Sequence, residues 1–228
     1  MANLHFSIIS ALLTIVPVAV HSQQFFRIKT DYSVKYTDSK GTSSLQMGVT
    51  YYDVNNKIIV MRNGFPIREI IAQKDTSIYN IRNNFIHSRQ KAYAPVELSI
   101  FHLALIGELE DYGLKKAGYI LENVKEDKGL ILTSWSPPDN MKAYSGKILI
   151  SVKDKKLFGI VFLDTNEKII AKHFFRNYAN INGFSFPTEV LRITYLNDQE
   201  ISMLTTYSKI VINDSNDNEY YNFKIPDN

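Results

Sequence analysis

Three histidines lie beyond the first 22 residues, His87, His102 and His173, and any acid–base or metal chemistry would have to start from them. A metal site needs imidazoles and carboxylates at short, regular spacings. No two of these histidines are so spaced, and no HExxH or carboxylate-rich cluster accompanies them. His102 falls in an apolar run, where a histidine satisfied by core or lid neighbours is the expected reading. No GxSxG offers a serine on a sharp elbow, and no GxGxxG or GxxxxGK[ST] offers a phosphate loop. Asp214, Asn216 and Asn218 mimic the first half of a calcium loop, but Glu219 replaces the turn glycine and Ile225 stands where the bidentate glutamate belongs. Glu97 and Glu189 are carboxylates that a glycosidase would need about 5–10 Å apart in a sugar-sized cleft, and nothing in the sequence pairs them. The expectation is a binding protein with no catalytic residue, no metal and no cofactor.

Composition narrows the class further. The 228 residues carry 26 Lys+Arg against 23 Asp+Glu, a net charge of +3 too small and too scattered for a nucleic-acid binder. The absence of Cys removes a disulfide framework, a thiolate nucleophile and thiolate metal centres. The 14 Tyr and 13 Phe cluster at Tyr51-Tyr52, Phe174-Phe175, Phe184-Phe186 and Tyr220-Tyr221. Without a basic groove they read as cross-strand packing rather than base stacking. Trp135, before Ser136-Pro137-Pro138, reads as a cap on a sheet end. The sequon Asn213-Asp214-Ser215 matters only in a eukaryotic secretory route.

The elements that position these residues follow an apolar run, Phe6 to Val20, that is too short to span a bilayer, which needs about 20 residues. Val20 and Ser22 suit cleavage before Gln23, so residues 1–22 read as a signal peptide and 23–228 as one exported domain. No second long apolar run follows.

Beyond the leader, Phe26, Ile28, Thr30, Tyr32, Val34 and Tyr36 alternate with Arg27, Lys29, Asp31, Ser33 and Lys35, the period-two pattern of a half-buried strand. Leu45, Met47, Val49 and Tyr51 repeat it. Further strands are expected from Ile58, at Glu69–Ala72 and at Ser77–Ile81, forming an antiparallel meander that stops near Pro95. A helix apolar on nearly every side is expected from Val96 to Ile106. Seven more strands are expected between Tyr119 and Ser208, with a last short one at Tyr220–Ile225. The fold class is mainly β: a strongly curved antiparallel sheet, an incomplete barrel, with one or two helices across its opening.

The runs Leu45-Gln46-Met47-Gly48-Val49-Thr50-Tyr51-Tyr52-Asp53, Arg68–Tyr79 and Phe175–Val190, the last containing Asn182-Gly183-Phe184-Ser185-Phe186-Pro187, resemble motifs of the LolA/LolB-like lipoprotein-carrier superfamily, in a version associated with Bacteroidota. The resemblance implies a periplasmic half-barrel around an apolar cavity that shelters the acyl chains of a lipid or lipoprotein without catalysis. It implies that Met47, Val49 and Tyr51 face the cavity, with Phe101 and Leu105 over it from the helix. The chain departs from the family where carriers have an Arg-Trp-like pair on the third strand; Ile59-Val60 stands there instead. That departure keeps a second class in view: an accessory subunit, associated with the outer membrane, that docks on or plugs the periplasmic end of a protein complex such as the type IX secretion channel.

Overall fold

The computed structural model describes residues 25–92, 94–197 and 199–227. The leader expected over 1–22 lies outside the described residues. Among the described residues thirteen strands form one antiparallel sheet. Its first half is β1 (Arg27–Thr37), β2 (Ser43–Asp53), β3 (Ile58–Phe65), β4 (Glu69–Lys74), β5 (Ser77–Arg82) and β6 (Phe85–Lys91). Its second half is β7 (Ile120–Asp127), β8 (Leu130–Ser136), β9 (Ile148–Lys153), β10 (Lys156–Leu163), β11 (Ile169–Ile181), β12 (Phe184–Leu196) and β13 (Gln199–Ile212).

Each half is a meander, and the halves join where β1 pairs with β13. The strand order therefore puts the two ends of the chain's strand region at the centre. The mid-chain strands β6 and β7 become the two edges, unpaired with each other, so the sheet is not closed into a barrel. Most strands return through tight turns whose residues adopt left-handed φ, among them Lys57, Asp75, Asn83 and Asn182-Gly183.

Alternation sorts the sheet into two faces. Ile28, Tyr32, Tyr52, Ile59, Trp135, Ile150, Ile160, Phe175, Phe186, Val190 and Tyr207 belong to the main core on the inner face. Tyr51, Ile58, Val60, Ala72 and Ile81 form a second core on the outer face.

The segment between β6 and β7 covers the inner face, supplying Val96, Ile100, Phe101, Leu103, Leu105, Leu109, Leu114 and Tyr119 to the main core. The single helix expected over Val96–Ile106 is divided into a 3₁₀ turn, Val96–Leu98, and a short α1, Ile100–Leu105. Ser99 makes the break. Its backbone is extended (φ −75°, ψ 151°) and its hydroxyl accepts the His102 N–H, which caps the new helix. Gly113 sits further along at φ +68°, where a Cβ would be strained and would press within 2.9 Å of the Leu103 side chain, so glycine suits this turn over the core.

The expected strand at Tyr220–Ile225 is corrected. The chain instead forms a one-turn α2, Asn218–Tyr221, followed by irregular chain. Tyr221 is buried, and Tyr220, Phe223 and Ile225 pack beside it against the outer core. Burial of these side chains, rather than a backbone ladder, holds the segment down.

Candidate functional site

Where α1 ends, the inner face opens at the rim of the sheet. Phe25, Ala104, Leu105, Leu157, Tyr178 and Phe184 surround an open pocket of about 660 Å³. That lies within the roughly 300–1,000 Å³ of small-molecule sites.

Every wall has a local cause. Gly183, left-handed at φ +87°, turns β11 into β12 and delivers Phe184, whose ring packs 5.2 Å from Phe25. The Tyr178 hydroxyl donates to the Leu157 carbonyl at 2.7 Å, fixing β11 against the start of β10. Burial raises the Tyr178 phenol well above its ordinary range, so it stays a neutral donor. Glu110, Lys155 and Lys156 share the lining and are exposed, and the Lys156 ammonium lies 5.4 Å over the Tyr178 ring. The pocket therefore offers a ligand both apolar rings and chains and charged side chains.

Beneath α1 the inner face is filled. Phe101 stacks on Phe186 at 5.7 Å and meets Tyr207 edge-on at 5.6 Å. His102 is buried, with Nδ1 2.6 Å from the Tyr52 hydroxyl. Desolvation holds its imidazole below the usual histidine range, opposed by Glu97 and assisted by Lys116 and Lys57.

The five residues expected to line a cavity are not brought together. Leu105 borders the pocket, and Phe101 lies under α1 in the packed core. Met47, Val49 and Tyr51 point the other way, a correction of one residue in register. Their neighbour Tyr52 faces the helix, so Tyr51 stacks on Tyr220 at 4.7 Å on the outer face. Val49 packs on the same outer core, and Met47 is 41% exposed opposite Phe65. Ile59 and Val60, standing where carriers have the Arg-Trp-like pair, are both buried, one in each core.

The other sequence candidates also find separate places. Glu97 pairs with Lys57 at 3.2 Å, whereas Glu189 pairs with Arg176 at 3.7 Å. In the Asp214–Asn218 loop the Lys29 ammonium lies 2.5 Å from Asp217 and 3.9 Å from Asp214, so a side-chain cation already neutralises it. His87 is exposed on edge strand β6.

Sequence reasoning missed Leu157, Tyr178 and Arg192. For Arg192 a signal existed, because it shares the alternation of Phe184, Phe186 and Val190 and so falls on the inner face.

No family model matches the chain, and no curated protein does. Among solved structures, a LolA superfamily protein from Nitrosomonas europaea superimposes with a TM-score of 0.57 at 12% identity, over 87% of this chain and 90% of that one. A DUF1329 family protein from Desulfovibrio piger gives 0.60 at 11% identity, over 88% and 91%. A domain described as an outer membrane lipoprotein-sorting protein, from Vibrio parahaemolyticus, gives 0.59 at 8% identity, over 86% and 89%. The chain thus has the LolA-like fold along most of its length.

Proposed function

We propose that this protein is exported to the periplasm by a leader over residues 1–22 and there binds an acyl chain of a lipid or lipoprotein, without catalysis. The observation that carries this reading is the open pocket of about 660 Å³ at the end of α1, where Phe25, Leu105, Leu157 and Phe184 share the lining with Glu110, Lys155 and Lys156, on a sheet that stops short of closing. Each methylene moved from water into such a wall contributes about 0.8 kcal/mol, so part of one chain gives useful affinity with no bond made or broken. The fold of the lipoprotein-sorting domain from Vibrio parahaemolyticus supports the same class of ligand.

Uptake of a pyrene-tagged hexadecane by the purified chain tests it. Binding should be saturable at one site and fall about tenfold or more in Ala104→Trp, whose indole would occupy the pocket. Equal uptake by the two proteins, with unchanged circular dichroism, would remove the pocket from the reading.

A second reading is favoured by edge strand β7. All eight of its residues are exposed, including Ile120 at 58% and Val124 at 57%. An unpaired, partly apolar edge can receive a strand from a partner, as a subunit docked on an outer-membrane protein complex would require. Absent probe uptake together with one outer-membrane protein recovered at equal stoichiometry would favour it.

A further inference from the structure

Arg192 lies on the inner face of β12, two residues beyond the buried Val190. Its ladder neighbours are His173 on β11 and Met203 on β13. It is half-buried, and among the described residues its guanidinium makes no ion pair with a carboxylate and no hydrogen bond. The inner-face carboxylate Glu69 is committed elsewhere, to Arg82 at 2.9 Å and Asn63 at 3.4 Å.

The groups around Arg192 are polar and uncharged. Its positive charge reaches the buried phenols of Tyr112 and Tyr207, neither of which has a side-chain hydrogen bond, and the imidazole of His173. His173 Nδ1 is buried without a partner. Tyr112 is held at φ 53°, next to the left-handed Gly113, with its ring packed 6.2 Å from Phe175. Burial, and then the Arg192 charge, push the His173 imidazole down to about 3, so its ring is neutral and adds no second cation. From Arg192 the same face runs through Thr194 to Leu196, 60% exposed, and on β1 to Tyr36, 39% exposed. A guanidinium with no carboxylate partner, beside two phenols that can donate, matches the oxygens of an acid.

We infer that Arg192, flanked by Tyr112, Tyr207 and His173, is a binding site for an acidic oxygen group, a carboxylate or a phosphate. The group belongs either to the head of an amphiphile whose chain leaves along Leu196 and Tyr36, or to a free anion. The site is separate from the pocket beside α1 and stands without it.

Calorimetric titration of the full chain with palmitate, methyl palmitate and inorganic phosphate tests this. Palmitate should bind about tenfold more tightly than its ester, the discrimination expected of one charge-assisted contact. In Arg192→Met that preference should vanish while ester binding persists, which also shows that the variant is folded. Phosphate binding that is lost in Arg192→Met, with no acid preference among the lipids, would assign the site to a free anion. Equal binding of acid and ester with no phosphate binding would overturn the anion site and leave the acyl-binding proposal standing. No binding of any of the three would overturn both. Where Arg192→Met does not fold, Arg192→Gln serves in its place, and an acid preference that persists in it would assign the discrimination to Lys155 and Lys156 instead.

Discussion

The Tyr52 hydroxyl and His102 Nδ1 lie 2.6 Å apart inside the main core, joining the second strand of the sheet to the helix that covers it. Burial raises the phenol and lowers the imidazole, so the bond joins two neutral groups. Protonation of His102 would leave a cation in apolar surroundings.

The pH dependence follows from this. His102 and His173 both have folded values below the ordinary 6.5, chiefly through desolvation. The unfolded chain therefore binds more protons below that point, so the stabilisation is complete above about pH 6.5 and is lost as pH falls toward the folded values. Each histidine steepens the loss by up to about 1.4 kcal/mol per pH unit. Urea unfolding at pH 7.5 and 5.0 should show the wild type weakened in acid, and His173→Gln should show a shallower dependence. Identical slopes in the two proteins would refute the assignment.

Phe101 is a structural plug. It is 6% exposed and contacts the rings of Phe186, Tyr207 and Tyr52. Phe101→Ala should cost about 3–5 kcal/mol through the cavity left behind. Phe101→Asp should prevent cooperative folding altogether, because an unpaired carboxylate is added to the loss. Thermal melts followed in the near-ultraviolet would show this, and a Phe101→Asp protein melting like the wild type would contradict the packing.

Much of the fold was legible in the sequence because period-two alternation is a local property. The strand that begins near Phe26 can be read from its own residues, and so can the turns after Asp53 and Lys74. Which face a strand turns to the core is settled elsewhere. In β2 both parities are apolar, Val49 and Tyr51 on one side and Tyr52 on the other, because both faces are covered, one by α1 and one by Tyr220 and Tyr221. Nothing within Leu45–Tyr52 says which face α1 covers, so the strand alone does not tell which parity turns to the inner face. The pocket was equally hidden: Ala104, Leu157 and Phe184 meet only through the joining of β1 to β13 and the return of the chain across the sheet.

Arg27 and Asp53 form a pair at 2.5 Å across β1 and β2, with the aspartate side chain 3% exposed. Removing one partner leaves the other charge nearly buried. Arg27→Met should therefore cost about 3–5 kcal/mol, whereas Arg27→Met with Asp53→Leu should recover much of it. A double-mutant cycle in urea measures the difference, and strictly additive losses would show that the pair is not coupled.

The outer core predicts a role for the last described turn. Tyr221 is 1% exposed, meets Tyr51 edge-on at 5.6 Å, and lies under the Arg27 guanidinium at 4.7 Å. Its carbonyl accepts from the Asn56 side chain at 2.9 Å, tying the segment to the turn between β2 and β3. A chain ending at Asn216 would uncover Tyr51, Val60 and Ala72 on the face opposite the acyl pocket. It should bind an apolar dye that the full chain does not and melt lower, by about the 3–5 kcal/mol of losing a large buried aromatic. Uptake of pyrene-tagged hexadecane by whatever fraction remains folded should be unchanged, since the pocket lies in the other core. Loss of uptake in a truncated protein that still melts cooperatively would mean that the two faces are coupled through β2.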